Sequence, residues 1–235
     1  MISSLANQEI KDLFKLKQKK YRDETNTFLV FGEHLIEEAI KTKNIVKIYS
    51  INPTLDGTLI SEEIMNKLKD TKTAFERVSI VRKPVLKPYS NKIVMFDDIQ
   101  DPLNVGSLIR TAMGFGFTTV IASNLTADYY NEKVIRATQG TLFYGNLYRA
   151  NLIEELIKLK ALGYEIIVTT LLGETNLSSL RDLTKMVLVL GNEGSGISKE
   201  IIDLATKKVT IKTTTIESLN VSHAGAILMY EVSHE

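Results

Sequence analysis

Short apolar runs alternate with helical patterning along most of the chain, and the alternation changes character near residue 88. Before that point FLVF (28 to 31) and IVKIYSI (45 to 51) read as short strands, while Lys11 to Tyr21 and Gly32 to Lys41 carry helical periodicity. This pattern predicts a small α/β module. After it, IVMF (93 to 96), TTVIA (118 to 122), YEIIVTTL (164 to 171), MVLVL (186 to 190) and VTI (209 to 211) read as strands with helical patterns between them. Those runs do not alternate apolar with polar, as expected of strands covered on both faces, so the second part is predicted to be α/β with a mainly parallel sheet. Between the parts KPVLKP (83 to 88) is framed by two prolines and suits neither a regular helix nor a central strand. The expected division is therefore 1–88 and 89–235.

Three stretches of the second part interrupt this patterning with chemistry. In DDIQDPLNVGSLIRTAMGFGF (97 to 117), Asn104 is placed to cap a helix, and Val105, Leu108, Ile109, Ala112 and Met113 fall at the spacing of a buried stripe. Gly106 and Arg110, four apart, share the flank of that stripe, so Arg110 is either a ligand-facing cation at a strand's carboxyl edge or a surface ion-pair partner. In MVLVLGNEGSGIS (186 to 198), a buried strand runs into Gly191, Gly194 and Gly196 and then into a helix starting near Ser198. The spacing is not that of a dinucleotide fingerprint, Ile197 stands where a phosphate loop needs its lysine, and Glu193 disfavours a phosphate. Such a loop suits a flat, neutral or cationic ligand lying along backbone; a glycine-rich turn without function is the competing reading. In ESLNVSHAGAILMYE (217 to 231), Ser218, Asn220 and Ser222 lead into a helix apolar nearly all round, with Val221, Ala224, Gly225, Leu228 and Val232 along one face, which predicts a buried helix and a packed His223. One cap needs one side chain, so the surplus polar groups point to a site, unless they form only a hydroxyl-rich cap.

Composition narrows the function classes. The 235 residues contain no cysteine, which excludes disulfides and thiolate-held metals. His34, His223 and His234 share no ligand spacing, so no metal site is expected. No apolar run approaches a membrane span and the first residues lack a secretory pattern, so a cytoplasmic protein without a membrane partner is expected. Asp97 and Asp98, adjacent at a strand end, point in opposite directions and are expected to cap loops rather than act as an acid–base pair. Net charge is +1, but six of residues 11 to 22 are cationic against one acid, and residues 82 to 92 hold four cations and no acid. These blocks suit nucleic-acid phosphates, and equally a solvated helix face and a linker.

In kind and order, NVGSLIRTA, LVLGNEGSGIS and ESLNVSHAGAILMYE resemble the three motifs of the SpoU family, also called the TrmH family, of RNA 2′-O-ribose methyltransferases. RATQGTLF (136 to 143) resembles the segment between the first two, and the likeness spans 92 to 232. KKYRDETNTFLVFGEHLIEEAI (19 to 40) looks like part of the ribosomal-protein-L30e-like substrate domain of many members.

The resemblance implies an α/β trefoil-knot (SPOUT) methyltransferase domain with an N-terminal L30e-like RNA-binding domain, a homodimer, and S-adenosylmethionine as methyl donor. It implies a catalytic group of Asn104, Arg110, Glu193, Ser218 and Asn220. The cofactor would lie against Thr170, Leu171, Leu190, Gly191, Asn192, Gly196, Ile211 and Leu219, and the RNA against Lys19, Lys20, Arg22, Arg82 and Lys83. The implied substrate is large-subunit rRNA, with tRNA, or an inactive ribosome-assembly factor of the same fold, as alternatives. Arg110 is expected to clamp a phosphate and stabilise the developing alkoxide, because guanidinium does not readily act as a base. Two features depart from the family pattern: Ile211 is followed by KTTTIE where members commonly have Pro-Met-x-Gly, and His223 stands where Val is usual.

Overall fold

Each of two units closes on a sheet of its own, Met1–Pro84 with Asp128–Phe143 and Val85–Ala127 with Tyr144–Glu235, in a computed structural model that describes residues 1–170, 173, 177–216 and 218–233. Leu171, Glu217 and His234, named above, lie outside the described residues.

The first unit begins with helices α1 (Gln8–Lys15) and α2 (Lys19–Thr25), continues through β1 (Thr27–Phe31), α3 (Glu33–Lys41), β2 (Ile45–Ser50) and β3 (Thr58–Leu59), and ends on α4 (Glu62–Leu68) and β4 (Arg77–Arg82). Its sheet runs β1-β4-β2-β3, with β4 antiparallel to both neighbours and β3 parallel to β2. Ile10, Leu13, Leu29, Phe31, Tyr49 and Ile64 are buried in its core. The helix expected over 11 to 21 is two helices. Arg22 supplies the reason: its guanidinium donates to the carbonyls of Leu16 (2.8 Å) and Lys17 (2.7 Å), the groups that a continuing helix would have used itself. Glu9 accepts from Tyr49 Oη and Lys47 Nζ, tying α1 to β2, and the lysine bond first of all holds the Glu9 carboxyl below its ordinary range.

The second unit starts with β5 (Lys92–Asp97), α5 (Pro102–Gly114) and β6 (Thr119–Ala122). The chain then gives helix α6 (Glu132–Thr138) and a 3-10 turn (Thr141–Phe143) to the first unit before returning through β7 (Asn146–Arg149). It continues through α7 (Leu152–Ala161), β8 (Glu165–Thr169), β9 (Met186–Gly191), α8 (Lys199–Leu204), β10 (Lys207–Val209) and α9 (Val221–Glu231). Residues 128–143 group with the first unit by their contacts. They are held there by Phe28 against the rings of Tyr130 and Phe143, at 4.6 and 6.3 Å between centroids, and by an ion pair of Arg22 with Asp128 at 2.6 Å.

The six strands of the second sheet run β10-β8-β9-β5-β6-β7 and every pairing is parallel. Ile93, Val94, Met95 and Phe96 are fully buried, which explains why β5 reads as an unbroken apolar run: both faces are covered. The last strand ends at Val209, two residues short of the expected Ile211. Because all strands point one way, Asp97, Thr170, Gly191 and Thr210 lie at the same carboxyl edge of the sheet. Among the described residues no helix is long and apolar enough to cross a membrane.

Candidate active site at the carboxyl edge of the parallel sheet

Helix α5 enters the site after β5. Its cap is Asp101, whose side chain accepts from Leu103 N at 2.9 Å, with Pro102 opening the first turn where no donor is needed. Asn104 is therefore not the expected cap but a residue of the first turn, buried to 7% exposure. Its amide is thereby free for other bonds. Asn104 Nδ2 donates to Glu193 Oε1 (2.8 Å), and Asn104 Oδ1 accepts from Asn220 Nδ2 (3.1 Å). One side chain from each of the three polar stretches is joined in this chain of bonds. Asn220 does two things at once, since its Oδ1 also caps α9 by accepting from Ser222 N (2.8 Å) and Ser222 Oγ (2.6 Å).

The glycine loop after β9 folds back on itself. Asn192 and Gly196 exchange backbone hydrogen bonds at 3.0 Å each, and a Cβ on Gly191 would overlap the Gly196 backbone, so the close approach at Gly191 serves the loop's own closure. Gly196 takes a left-handed φ of +72°. Both polar atoms of the Asn192 side chain are engaged: Nδ2 donates to the Asp98 carbonyl (2.8 Å), and Oδ1 accepts from Gly194 N (2.8 Å) and Ser195 N (3.0 Å). Asn192 therefore clamps the loop that presents Glu193 to the end of β5. Asp97 accepts from Ser198 N (2.8 Å) and Asp98 from Ser123 Oγ, the loop-capping roles expected of them.

Arg110 lies six residues along α5 from Asn104, about 9 Å in rise. It is exposed and makes no hydrogen bond or ion pair among the described residues. Ser218 is exposed as well, and Leu219 and Ile211 are half-buried. Helix α9 is not buried all round: Gly225, Leu228 and Met229 are covered, but His223, Ile227 and Tyr230 are exposed. Its thinness is spent inside the chain, because a Cβ on Gly225 would overlap Leu108 of α5 and come within 2.8 Å of Leu190 of β9.

The residues expected around S-adenosylmethionine sit on neighbouring strand ends: Thr170 after β8, Leu190 and Gly191 at the end of β9, Ile211 after β10. One observation bears directly on fit. Thr170 Oγ1 is buried and has no hydrogen-bond partner among the described residues, a state that a bound polar ligand relieves. Ile211 and Leu219 are half-buried and offer apolar surface of the kind an adenosyl group needs. These residues fit the cofactor.

The basic residues of the first unit separate into two sets. Arg22 is not an RNA contact: its side chain is 7% exposed and its guanidinium is bound to two carbonyls and Asp128. Lys83, 13% exposed, is held by Asp23 at 2.6 Å over the Tyr130 ring. Lys19, Lys20 and Arg82 are exposed; Lys19 is paired with Asp23, and Lys20 lies 3.9 Å from Glu24. Surface pairs of this kind stabilise little and yield readily to a phosphate. Asp101, Asn192 as a clamp and Thr210, described below, were not legible as site residues in the sequence, since each works through a backbone hydrogen bond that periodicity does not report.

A parallel sheet with its polar loops gathered at one carboxyl edge, in a chain that also carries a smaller α/β unit, is the architecture of the SPOUT methyltransferases. Two solved structures of an rRNA methyltransferase from Sinorhizobium meliloti superpose over 98% of this chain and 96% of theirs, one at TM-score 0.85 with 25% identity and one bound to S-adenosylmethionine at 0.84 with 26%. The chain belongs to the SpoU rRNA methylase family, whose model matches residues 91–230; a model described as an MRM3-like substrate binding domain matches 7–92. The 23S rRNA (guanosine(2553)-2′-O)-methyltransferase RlmP of Bacillus subtilis is 33% identical over 98% of both chains.

Proposed function

We propose that this protein methylates a ribose 2′-hydroxyl of large-subunit rRNA as a cytoplasmic homodimer, and that Asn104, Arg110, Glu193, Ser218 and Asn220 carry the reaction. The observation behind the site assignment is the bonded sequence Glu193–Asn104–Asn220, which joins one side chain from each of the three polar stretches at one sheet edge, with the exposed Arg110 further along α5. S-adenosylmethionine supplies, when bound, an electrophilic methyl group on a sulfonium that leaves as a neutral thioether. The protein's part is to hold the 2′-oxygen in line and to take its proton. Glu193 keeps one carboxylate oxygen on Asn104 and has the other open to accept that proton, while Asn104, anchored by Asn220, fixes the direction of the carboxylate. Arg110 clamps the adjacent phosphate and stabilises charge developing on the ribose oxygen.

Lys19, Lys20 and Arg82 are proposed as phosphate contacts of the first unit. The exposed Ile227 and Tyr230 of α9 suit the proposed dimer contact. The guanosine that RlmP modifies is the first nucleotide to test, since that relative matches nearly the whole chain.

A 23S rRNA transcript incubated with the protein and S-adenosylmethionine should acquire one 2′-O-methyl group. Arg110→Ala should cut the rate by roughly two to three orders of magnitude while S-adenosylhomocysteine affinity stays within about twofold. No methyl transfer by the unsubstituted protein would refute the substrate assignment, and parallel loss of cofactor affinity would refute the role given to Arg110.

A further inference from the structure

At the carboxyl end of β8 the backbone is closed by a side chain from another strand. Thr210, the residue after β10, donates its hydroxyl to the Thr170 carbonyl at 2.8 Å and accepts from Gly173 N. Thr170 N donates in turn to the Val209 carbonyl at 2.9 Å. Gly173 has no room for a side chain, because a Cβ there would overlap the backbone of Val209 and come within 2.7 Å of Thr210 N. One hydroxyl thus takes both a donor and an acceptor from the chain leaving β8, within a contact so close that only glycine permits it. The Thr170 hydroxyl, held by this arrangement, is buried and has no partner among the described residues.

A threonine on a strand can satisfy its hydroxyl on nearby backbone, and a buried one normally does so. Here the Thr170 amide and carbonyl are already bonded to Val209 and Thr210, and the Gly173 amide to Thr210. We propose that Thr210 is a positioning residue of the cofactor site: it fixes the backbone on either side of the 171–172 dipeptide and denies Thr170 Oγ1 an internal partner, leaving that hydroxyl for a polar atom of the adenosyl group. The inference rests on the reading of this edge as the S-adenosylmethionine pocket. It adds a residue that touches no ligand and acts through two backbone groups.

The test is calorimetric titration of the full chain with S-adenosylhomocysteine, with steady-state methylation alongside. Thr210→Val should weaken binding about five- to tenfold, the loss expected when one or two neutral hydrogen bonds go. It should raise KM for S-adenosylmethionine by a similar factor and leave kcat and RNA affinity within about twofold. Thr210→Ser, which keeps the hydroxyl, should restore binding. Thr170→Val should weaken binding comparably, and the double variant should lose less than the product of the two single losses, because both act on one contact. Unchanged affinity in Thr210→Val, or strictly multiplicative losses, would overturn the proposal. Should Thr210→Val not fold, the decision passes to Thr170→Val in the otherwise intact chain, where unchanged affinity overturns it. If the unsubstituted protein itself binds no S-adenosylhomocysteine, it is the pocket assignment that fails.

Discussion

Arg22 shows how far a residue's chemistry depends on where its backbone goes. Read along the chain it belongs to a cationic run, yet its guanidinium ends α1, receives the chain entering α2 and reaches Asp128, more than a hundred residues on. At 7% and 16% side-chain exposure the pair has lost most of its water, so the charges depend on each other. Asp128→Ala leaves a guanidinium buried with only two carbonyls, and an unpaired buried charge typically costs about 3 to 5 kcal/mol. We expect a clear fall in the urea midpoint of the first unit's transition. A change below about 0.5 kcal/mol, the scale of an exposed pair, would show that Asp128 is not holding Arg22. Asn192 and Asn104 carry the same lesson with the opposite outcome. The sequence marks both as polar residues in apolar surroundings, but only the bonds decide that one clamps backbone and the other joins side chains.

At the scale of elements, α9 and α5 meet through a glycine. Leu108 and Leu190 press on the side of α9 where Gly225 has only hydrogen, and both leucines are essentially buried, so neither has free space to rotate into. Gly225→Val puts two further methyl groups into that contact. Overpacking of this kind costs about 1 to 3 kcal/mol, more than the helix recovers by losing a glycine. Because Asn220 caps the same helix, the shift should reach the site: stability falls by about that amount and methyl transfer drops further than stability alone explains. A valine variant as stable and active as the parent would mean that α9 has slack against α5. The strands of the parallel sheet were legible because burial on both faces leaves continuous apolar runs, as in β5 and β9. The three polar stretches were legible because they break those runs. Less was visible where partners lie far off: β4 alternates too weakly to stand out, α1 and α2 are parted by a side chain, and α9 reads as wholly buried although His223, Ile227 and Tyr230 face outward. The VTI run gave no hint that Thr210 closes the end of β8, since a threonine looks alike in the sequence whatever it binds.

At the scale of the whole molecule, the two units do not correspond to two consecutive lengths of chain. A cut at residue 88 looks natural in the sequence because of its prolines, but it separates residues 128–143 from the unit to which they belong. Those residues carry Tyr129, Val134, Ile135, Leu142 and Phe143, each at most 4% exposed in the intact chain. They also carry Asp128, the partner of Arg22. A fragment of residues 89–235 keeps every strand of the parallel sheet and its site, yet leaves this apolar segment without Phe28 to receive it. An exposed patch of large aromatic and aliphatic side chains drives association rather than a well-behaved domain. The fragment should therefore bind a hydrophobic dye and sediment as oligomers larger than the intact protein. Replacing Val134, Ile135 and Phe143 by polar residues in that fragment should reduce both, whereas in the full chain the same changes should destabilise the first unit. A discrete, dye-silent fragment 89–235 would mean that residues 128–143 find cover within the second unit alone, and that the prolines mark a true boundary between independently folding parts.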